Sequence, residues 1–361
     1  MPPRLRRVNS SEPGLQRKRH GRGFRYLDAS GQPITDPATL GRLEALVIPP
    51  AWKDVWICPI GHGHIQATGV DAAGRRQYLY HQVWREKRDL EKFDHMLDFA
   101  ERLPAMREHV VATLHTPGLT RERVLATAIR LLDLGFFRVG GEEYAETNNT
   151  YGLATMRREH VSVAAGVVTF DYIAKSGKKR VQHVADESVL DVVRALKARR
   201  GGGDELLAYR AGRTWVDVKS ADINRHLAEV TGGEVTAKDF RTWNATVLAA
   251  VGLAVSRHVP GSDSARKRAL SRVVKEVSEY LGNTPAVCRT SYIDPRIVDL
   301  YLNGRTIEPV LDDLGADADY GTLATQGRTE QAVLELLRGP KKAAAAEQRA
   351  VITKNRLRQA G

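Results

Sequence analysis

The chain has 361 residues, 42% of them hydrophobic, and 55 Lys/Arg against 43 Asp/Glu give a net charge of +12. At roughly 100–200 residues per domain, this length predicts two domains with ordinary cores. No apolar run approaches the ~20 residues that a membrane helix needs, and no apolar segment follows the basic N-terminus as in a secretory signal.

The two cysteines, Cys58 and Cys288, are far apart. They give neither a disulfide framework nor a zinc motif and suit a reducing cytoplasm. The charge is uneven, with 15 Lys/Arg against 8 Asp/Glu in residues 1–90. Such an excess suggests a polyanionic partner, most often nucleic acid, although a solvated basic surface would give the same count.

In chain order, residues 1–25 read as a basic, mobile arm. Residues 26–90 read as a small strand-rich domain. "HIQATGV" and "QYLYHQVW" alternate in polarity, and the turn-like "DAAGRR" between them predicts a hairpin. From 86 to 132 the pattern turns helical, with Leu90, Phe93, Met96 and Leu97 at helical spacing. A larger, mostly helical domain is expected over 91–340, and the boundary is soft.

Within it, "ERVLATAIRLLDLGFFRVGGEEY" predicts a buried helix that stops at a Gly/Arg turn. "VSVAAGVVTFDYIAKSGKKRVQHV" predicts strands turning at Ser176-Gly177. "DFRTWNATVLAAVGLAV" predicts a helix capped by Asp239, with Arg241 in its first turn. "SARKRALSRVVKEVSEYLG" predicts an amphipathic helix ending at Gly282, and "DPRIVDLYLNG" one with Asp294 as cap and Pro295 in its first position. Residues 341–361 form a basic tail. The predicted class is α+β: a β-rich N-terminal domain and a mainly α-helical one with a small sheet.

The sequence has no GxxxxGK[ST] loop, no HExxH and no paired CxxC, so nothing points to ATP or to a bound metal. His62 and His64 in "GHGH" have no carboxylate or cysteine cluster beside them. A phosphodiester enzyme without metal would neutralise phosphate with arginines, whose fork matches two phosphate oxygens. It would also need a nucleophile and a proton donor. A tyrosine can be that nucleophile if neighbouring cations help remove a proton of pKa about 10.

"GFFRVGGEEYAETNNTYGLATMRREHV", "YIAKSGKKRV", "KDFRTWNATVLAA" and "LGNTPAVCRTSYIDP" occur in this order, preceded by "IPPAW" and "HIQATGVDAAGRRQYLYH". Together they resemble the type IB DNA topoisomerases of the compact poxviral and bacterial branch, over about 22–304. The resemblance implies the topoisomerase IB/tyrosine recombinase fold and ATP-independent relaxation of positive and negative supercoils. It further implies a monomer that clamps duplex DNA in a bacterial cytoplasm, associated with the nucleoid. Cofactors are then none, with a divalent cation at most stimulatory.

Residue by residue, the resemblance makes Tyr292 the nucleophile that forms a 3′-phosphotyrosine. Arg138 and Arg241 bind the phosphate, and Lys175 is the general acid to the leaving 5′-oxygen. Asn283 stands where other members carry histidine; it can donate the same hydrogen bond but cannot carry charge. Gln77, Tyr78, Tyr80 and Tyr144 are implied DNA contacts, with Arg75 and Arg76 on phosphates. Tyr78 and Tyr80 share one strand face and could equally pack. A tyrosine recombinase and a non-catalytic DNA-binding protein remain alternatives; recombinases usually carry His-x-x-Arg where this chain has Lys238-Asp239-Phe240-Arg241.

Overall fold

The computed structural model describes residues 4–256, 262–312, 323 and 325–339. The chain divides into two compact units, Met1–Asp94 and His95–Gly361. The basic tail 341–361 lies outside the described residues.

The first unit is built on one antiparallel sheet. Its strands are β1 (Leu15–His20), β2 (Gly23–Leu27), β3 (Lys53–Ile57), β4 (Ile65–Val70) and β5 (Arg76–Tyr80), in spatial order β2-β1-β3-β4-β5. Helix α1 (Pro37–Ala45) joins β2 to β3, capped by the Asp36 carboxylate, which accepts from Thr39 N at 2.8 Å. Leu43, Ile48, Val55, Ile57 and Ala67 form the core beneath the sheet, and Tyr26, Trp52 and Leu79 pack around it. The β4–β5 turn is held by Asp71, whose carboxylate accepts from Ala73 N at 2.9 Å and Arg75 N at 3.0 Å.

The arm expected over 1–25 is therefore corrected: it carries β1, an inner strand, and the start of β2. The charges of "LQRKRH" hide a strand because all but one face water. The exception, Arg17, is buried, yet its guanidinium donates to the carbonyls of Ile48 (2.7 Å), Pro49 (2.8 Å) and Trp52 (3.1 Å) and lies 4.1 Å over the Phe24 ring. A buried cation whose amino groups are met by carbonyl oxygens and whose plane lies over a ring can occupy a core position that charge counting assigns to solvent.

The division between units falls within α2 (Gln82–Leu114). The second unit continues with α3 (Arg121–Gly135), α4 (Glu142–Asn148), β6 (Val161–Ala164), β7 (Val167–Ala174), β8 (Lys178–Val184) and α5 (Glu187–Ala198). Next come β9 (Ala208–Ala211), β10 (Thr214–Asp217), α6 (Ser220–Thr231), α7 (Ala237–Val255), α8 (Asp263–Leu281), α9 (Pro285–Ser291), α10 (Pro295–Leu302) and α11 (Arg328–Arg338). Strands β6-β7-β8 form a three-stranded antiparallel sheet, and β9 pairs with β10. Helices dominate this unit and strands the first, which is the α+β class expected.

Two local readings change. The cap of α7 is Thr236 rather than Asp239; the Asp239 carboxylate accepts from Thr236 N at 2.8 Å and from its hydroxyl at 2.9 Å, from the third helical position. With 3.6 residues per turn, Arg241 as the fifth residue opens the second turn, so the exposed amides of the first turn are not beside it. The second change is α9. No helix is read over "PAVCRTS" in the sequence, but Thr284 caps a short helix there, accepting from Val287 N at 3.3 Å, with Pro285 at its start.

Candidate active site

The end of α8 organises the site. Gly282 follows it in the left-handed conformation (φ 65°), the usual glycine cap, whose N–H donates to Glu279 O at 3.1 Å, and the last carbonyls of the helix point outward with capacity for further donors. Arginines from three other elements fill them. Arg180 of β8 donates to Glu279 O (2.8 Å) and Tyr280 O (2.5 Å). Arg241 of α7 donates to Leu281 O (2.8 Å). Arg138, after α3, donates to Gly282 O (3.3 Å) and to the Asn283 side-chain oxygen. Four successive carbonyls thus collect three guanidinium groups at the negative end of a helix dipole.

Arg241 is only 3% exposed. Its second amino group donates to Phe136 O at 2.7 Å, and its Nε has no partner. Phe136 ends α3 in a left-handed conformation (φ 54°), which a bulky side chain adopts only under constraint. Among the described residues, no carboxylate pairs with Arg138 or Arg241. Burial, then the charge of Arg138, pulls the Arg241 guanidinium down to about 10, and burial also lowers Arg138. Cations held at this cost, with no carboxylate to balance them, form a place where an anion is favoured.

Tyr292 closes α9, half-buried, with the Arg241 guanidinium 5.2 Å from its ring centre. Its backbone is pinned to α7 by one hydroxyl: Thr246 Oγ1 lies 3.3 Å from Tyr292 O and accepts from Asp294 N at 3.1 Å. Asp294 then caps α10 as the sequence suggests, accepting from Arg296 N at 2.9 Å. The helix that carries Arg241 therefore also positions the tyrosine. Burial pushes the Tyr292 phenol up, but the fields of Arg241, Arg138 and Lys238 outweigh it and the net shift is downward. Tyr172 also stands near these arginines but is more deeply buried, and its phenol is pushed up. Of these two tyrosines, the site favours ionising Tyr292.

The Asn283 amide is oriented by Arg138: the oxygen accepts, and the buried NH₂ has no acceptor. An orphaned donor costs on the order of 1–3 kcal/mol and would gain by meeting a ligand oxygen. Arg138, Arg241, Asn283 and Tyr292 are thus brought together from positions up to 154 residues apart in sequence. Lys175 sits at the exposed tip of the β7–β8 hairpin, where Ser176 (φ 67°) and Gly177 (φ 70°) turn the chain.

In the first unit, Tyr78 and Tyr80 project together from β5, both exposed, with rings stacked at 6.0 Å. Neither is core packing. Arg76 is exposed, while Arg75 pairs with Asp71 at 2.9 Å and Gln77 donates to the same carboxylate at 2.9 Å. The Tyr144 side chain lies outside the described residues.

Sequence reasoning did not select Arg180, Lys238 or Thr246. Thr246 had a readable signal, a hydroxyl on the buried face of the helix, beside Thr242 and Asn244. Lys238 stood in the text as a departure from His-x-x-Arg. Arg180 was hidden among three consecutive basic residues. Among the described residues no group of three or more His, Cys, Asp or Glu could hold a metal ion, and no helix is long and apolar enough to cross a membrane.

Comparison with known proteins gives the same direction. The family described as eukaryotic DNA topoisomerase I, catalytic core, matches residues 81–300. The bacterial DNA topoisomerase IB N-terminal domain matches residues 23–71. The chain is 28% identical to DNA topoisomerase 1B of Acanthamoeba polyphaga mimivirus, over 80% of this chain and 88% of the viral one. It is 20% identical to DNA topoisomerase 1B of vaccinia virus (strain Copenhagen), over 64% of this chain and 71% of that protein. DNA topoisomerase 1 of Candidozyma auris is 29% identical over 44% of this chain but only 20% of its own length.

Proposed function

The chain belongs to the type IB DNA topoisomerase family, and from that premise we propose that it relaxes positive and negative supercoils through a transient 3′-phosphotyrosine break in one strand. The observation that carries this reading is the half-buried Tyr292 against Arg241, with a second carboxylate-free arginine in the same cluster.

Duplex DNA brings a phosphate to the guanidinium groups of Arg138 and Arg241, which exchange carbonyl bonds for charge-assisted bonds to non-bridging oxygens. The Asn283 NH₂ supplies a third donor. The Tyr292 proton passes to water, its oxygen attacks phosphorus, and the bond from phosphorus to the 5′-oxygen breaks. Lys175 gives its proton to that 5′-oxygen. The donors stabilise the charge that grows on the five-coordinate phosphorus. The broken strand rotates about the intact one, and the reverse reaction reseals it. Because the phosphotyrosine ester conserves the bond energy, the cycle needs no ATP. A divalent cation would act only on turnover.

The exposed Tyr78/Tyr80 pair and Arg76 offer the first unit's own contacts to DNA, with the Arg76 charge on the phosphates. The working form is a monomer clamped on duplex DNA in the bacterial nucleoid. The bacterial N-terminal domain match favours a topoisomerase over a recombinase.

The test is relaxation of supercoiled plasmid without recombination sites, in EDTA and without ATP. Complete relaxation of both signs of supercoil is expected. Relaxation that appeared only with ATP or magnesium would overturn the reading.

A further inference from the structure

Arg180 lies outside the five residues that carry the proposed chemistry, yet its fork spans two consecutive carbonyls at the end of α8. It stands on the inner face of β8, opposite Tyr172 of β7. Its two amino groups bridge consecutive carbonyls, Glu279 O and Tyr280 O, in the last turn of α8. Room for this fork is made by Gly282: a Cβ there would lie 3.2 Å from Arg180 Nη1. The glycine thus serves the left-handed backbone and the arginine together.

The next inward residue of β8 is Gln182. It donates to Gly135 O, at the end of α3, and accepts from the Tyr172 hydroxyl at 2.8 Å. The inner face of β8 is therefore fastened at two successive positions to two helix ends. One of those ends leads into Arg138, the other into Asn283.

Beyond Arg180 the hairpin runs on to its exposed tip, Lys175–Lys178. Arg180 is two positions from Lys178, with Lys179 between them, about 7 Å along the strand. Arg180 is thus the last inward fastening on β8 before the tip that carries Lys175.

We propose that Arg180 is a positioning residue: by forking onto the end of α8 it sets the hairpin, and hence Lys175, in register with the Asn283 turn. Arg180 acts through Lys175 and not on the phosphate. Arg241 also gives both amino groups to carbonyls; what sets Arg180 apart is its place on β8, on the strand that leads directly to the Lys175 tip. The inference rests on the reading of Tyr292 as nucleophile and Lys175 as general acid.

The experiment measures single-turnover cleavage of an oligonucleotide duplex at a site mapped with the unmodified enzyme. The leaving atom is either the natural 5′-oxygen or a 5′-bridging sulfur, which departs without needing a proton. Unmodified enzyme forms the covalent adduct on both substrates; failure to do so on either would dispose of the underlying reading. Lys175→Ala should be slow on oxygen and restored by sulfur, which fixes the general-acid assignment separately.

Arg180→Ala should then slow cleavage of the oxygen substrate by roughly 10- to 100-fold, as a misplaced catalytic group does, and sulfur should restore most of the rate. Lys175→Ala/Arg180→Ala should be no slower than Lys175→Ala alone. Arg180→Lys, which can reach one carbonyl but not bridge two, should fall between, and it serves if the alanine variant does not fold. Equal slowing on oxygen and sulfur would mean that Arg180 holds the phosphate or the fold, and would overturn the proposal. Unchanged rates on both substrates would overturn it as well.

Discussion

The second unit holds two clusters of buried arginine, and they are built on opposite terms. In one, Arg107 reaches from α2 to Asp133 of α3 (2.8 Å) and Glu330 of α11 (2.6 Å), while Arg130 reaches Asp186 (3.0 Å). Glu330 also accepts from the Trp243 indole at 2.7 Å. Although burial opposes it, pairing with Asp133 and Glu330 raises the Arg107 guanidinium above its ordinary value. In the other cluster, Arg138 and Arg241 meet carbonyls, the Asn283 amide and the Tyr292 side chain but, among the described residues, no carboxylate, and both are lowered. A closed cluster balances its charge and ties helices together. An open cluster keeps positive charge in reserve for a partner. Between these two clusters it is charge pairing, not burial, that differs; meeting carbonyls alone does not mark a working arginine, since Arg17 and Arg199 are also buried against carbonyls away from the site.

That contrast can be broken most sharply at Arg107. Arg107→Met should leave Asp133 with Arg130 (3.4 Å) and Glu330 with the Trp243 indole as their remaining partners and cost about 3–5 kcal/mol, read from denaturant unfolding. The protein that remains folded should still cleave DNA at close to the normal rate. Arg241→Met should do the reverse. It removes a cation that has no carboxylate to strand, so the stability loss should stay near 1–2 kcal/mol. Single-turnover cleavage should fall by roughly 10²–10³-fold, as when one donor to a developing oxyanion is lost. If the two variants gave the same pattern, the distinction between the clusters would be wrong.

Closing the open cluster should also silence it. Asn283→Asp would give Arg138 a carboxylate partner and set a negative charge beside the incoming phosphate; cleavage should drop at least about tenfold, as for loss of a charged hydrogen bond. Asn283→His keeps a donor and should stay within about tenfold of the unmodified enzyme. The smallest effect is on pH. Because the folded site lowers the Tyr292 phenol below its ordinary value near 10, the ionised fraction at a given pH exceeds that of a free phenol. Cleavage should therefore rise with pH and level off below pH 10. A plateau above 10 would contradict the downward shift.

How much of this was legible depended on where the signal resides. The faces of α7 and α8 were plain, because Phe240, Trp243 and Val247, and Leu270, Val273, Val274, Val277 and Leu281, recur at helical spacing and are buried. The cap and proline of α10 and the turn at Ser176-Gly177 were plain for the same local reason. β1 was not, because the one inward arginine is satisfied by carbonyls from residues 31–35 positions away. Nor was the row of arginines on α8, since a backbone carbonyl looks the same in every residue. α9 was obscured because its seven residues bury only Cys288, too few to make a periodic pattern. The site residues named from resemblance could be listed one by one; what joins them, Thr246 and the end of α8, required three dimensions.

The central claim is that Tyr292 becomes covalently joined to DNA. Mixing the protein with plasmid, quenching with detergent and digesting the DNA would leave a nucleotide on the nucleophile, detectable on a denaturing gel and by mass spectrometry of its peptide. The account predicts a 3′-linked nucleotide on Tyr292 and none with Tyr292→Phe, although that variant still binds DNA. An adduct of undiminished yield in Tyr292→Phe, or one mapped to another residue, would contradict it.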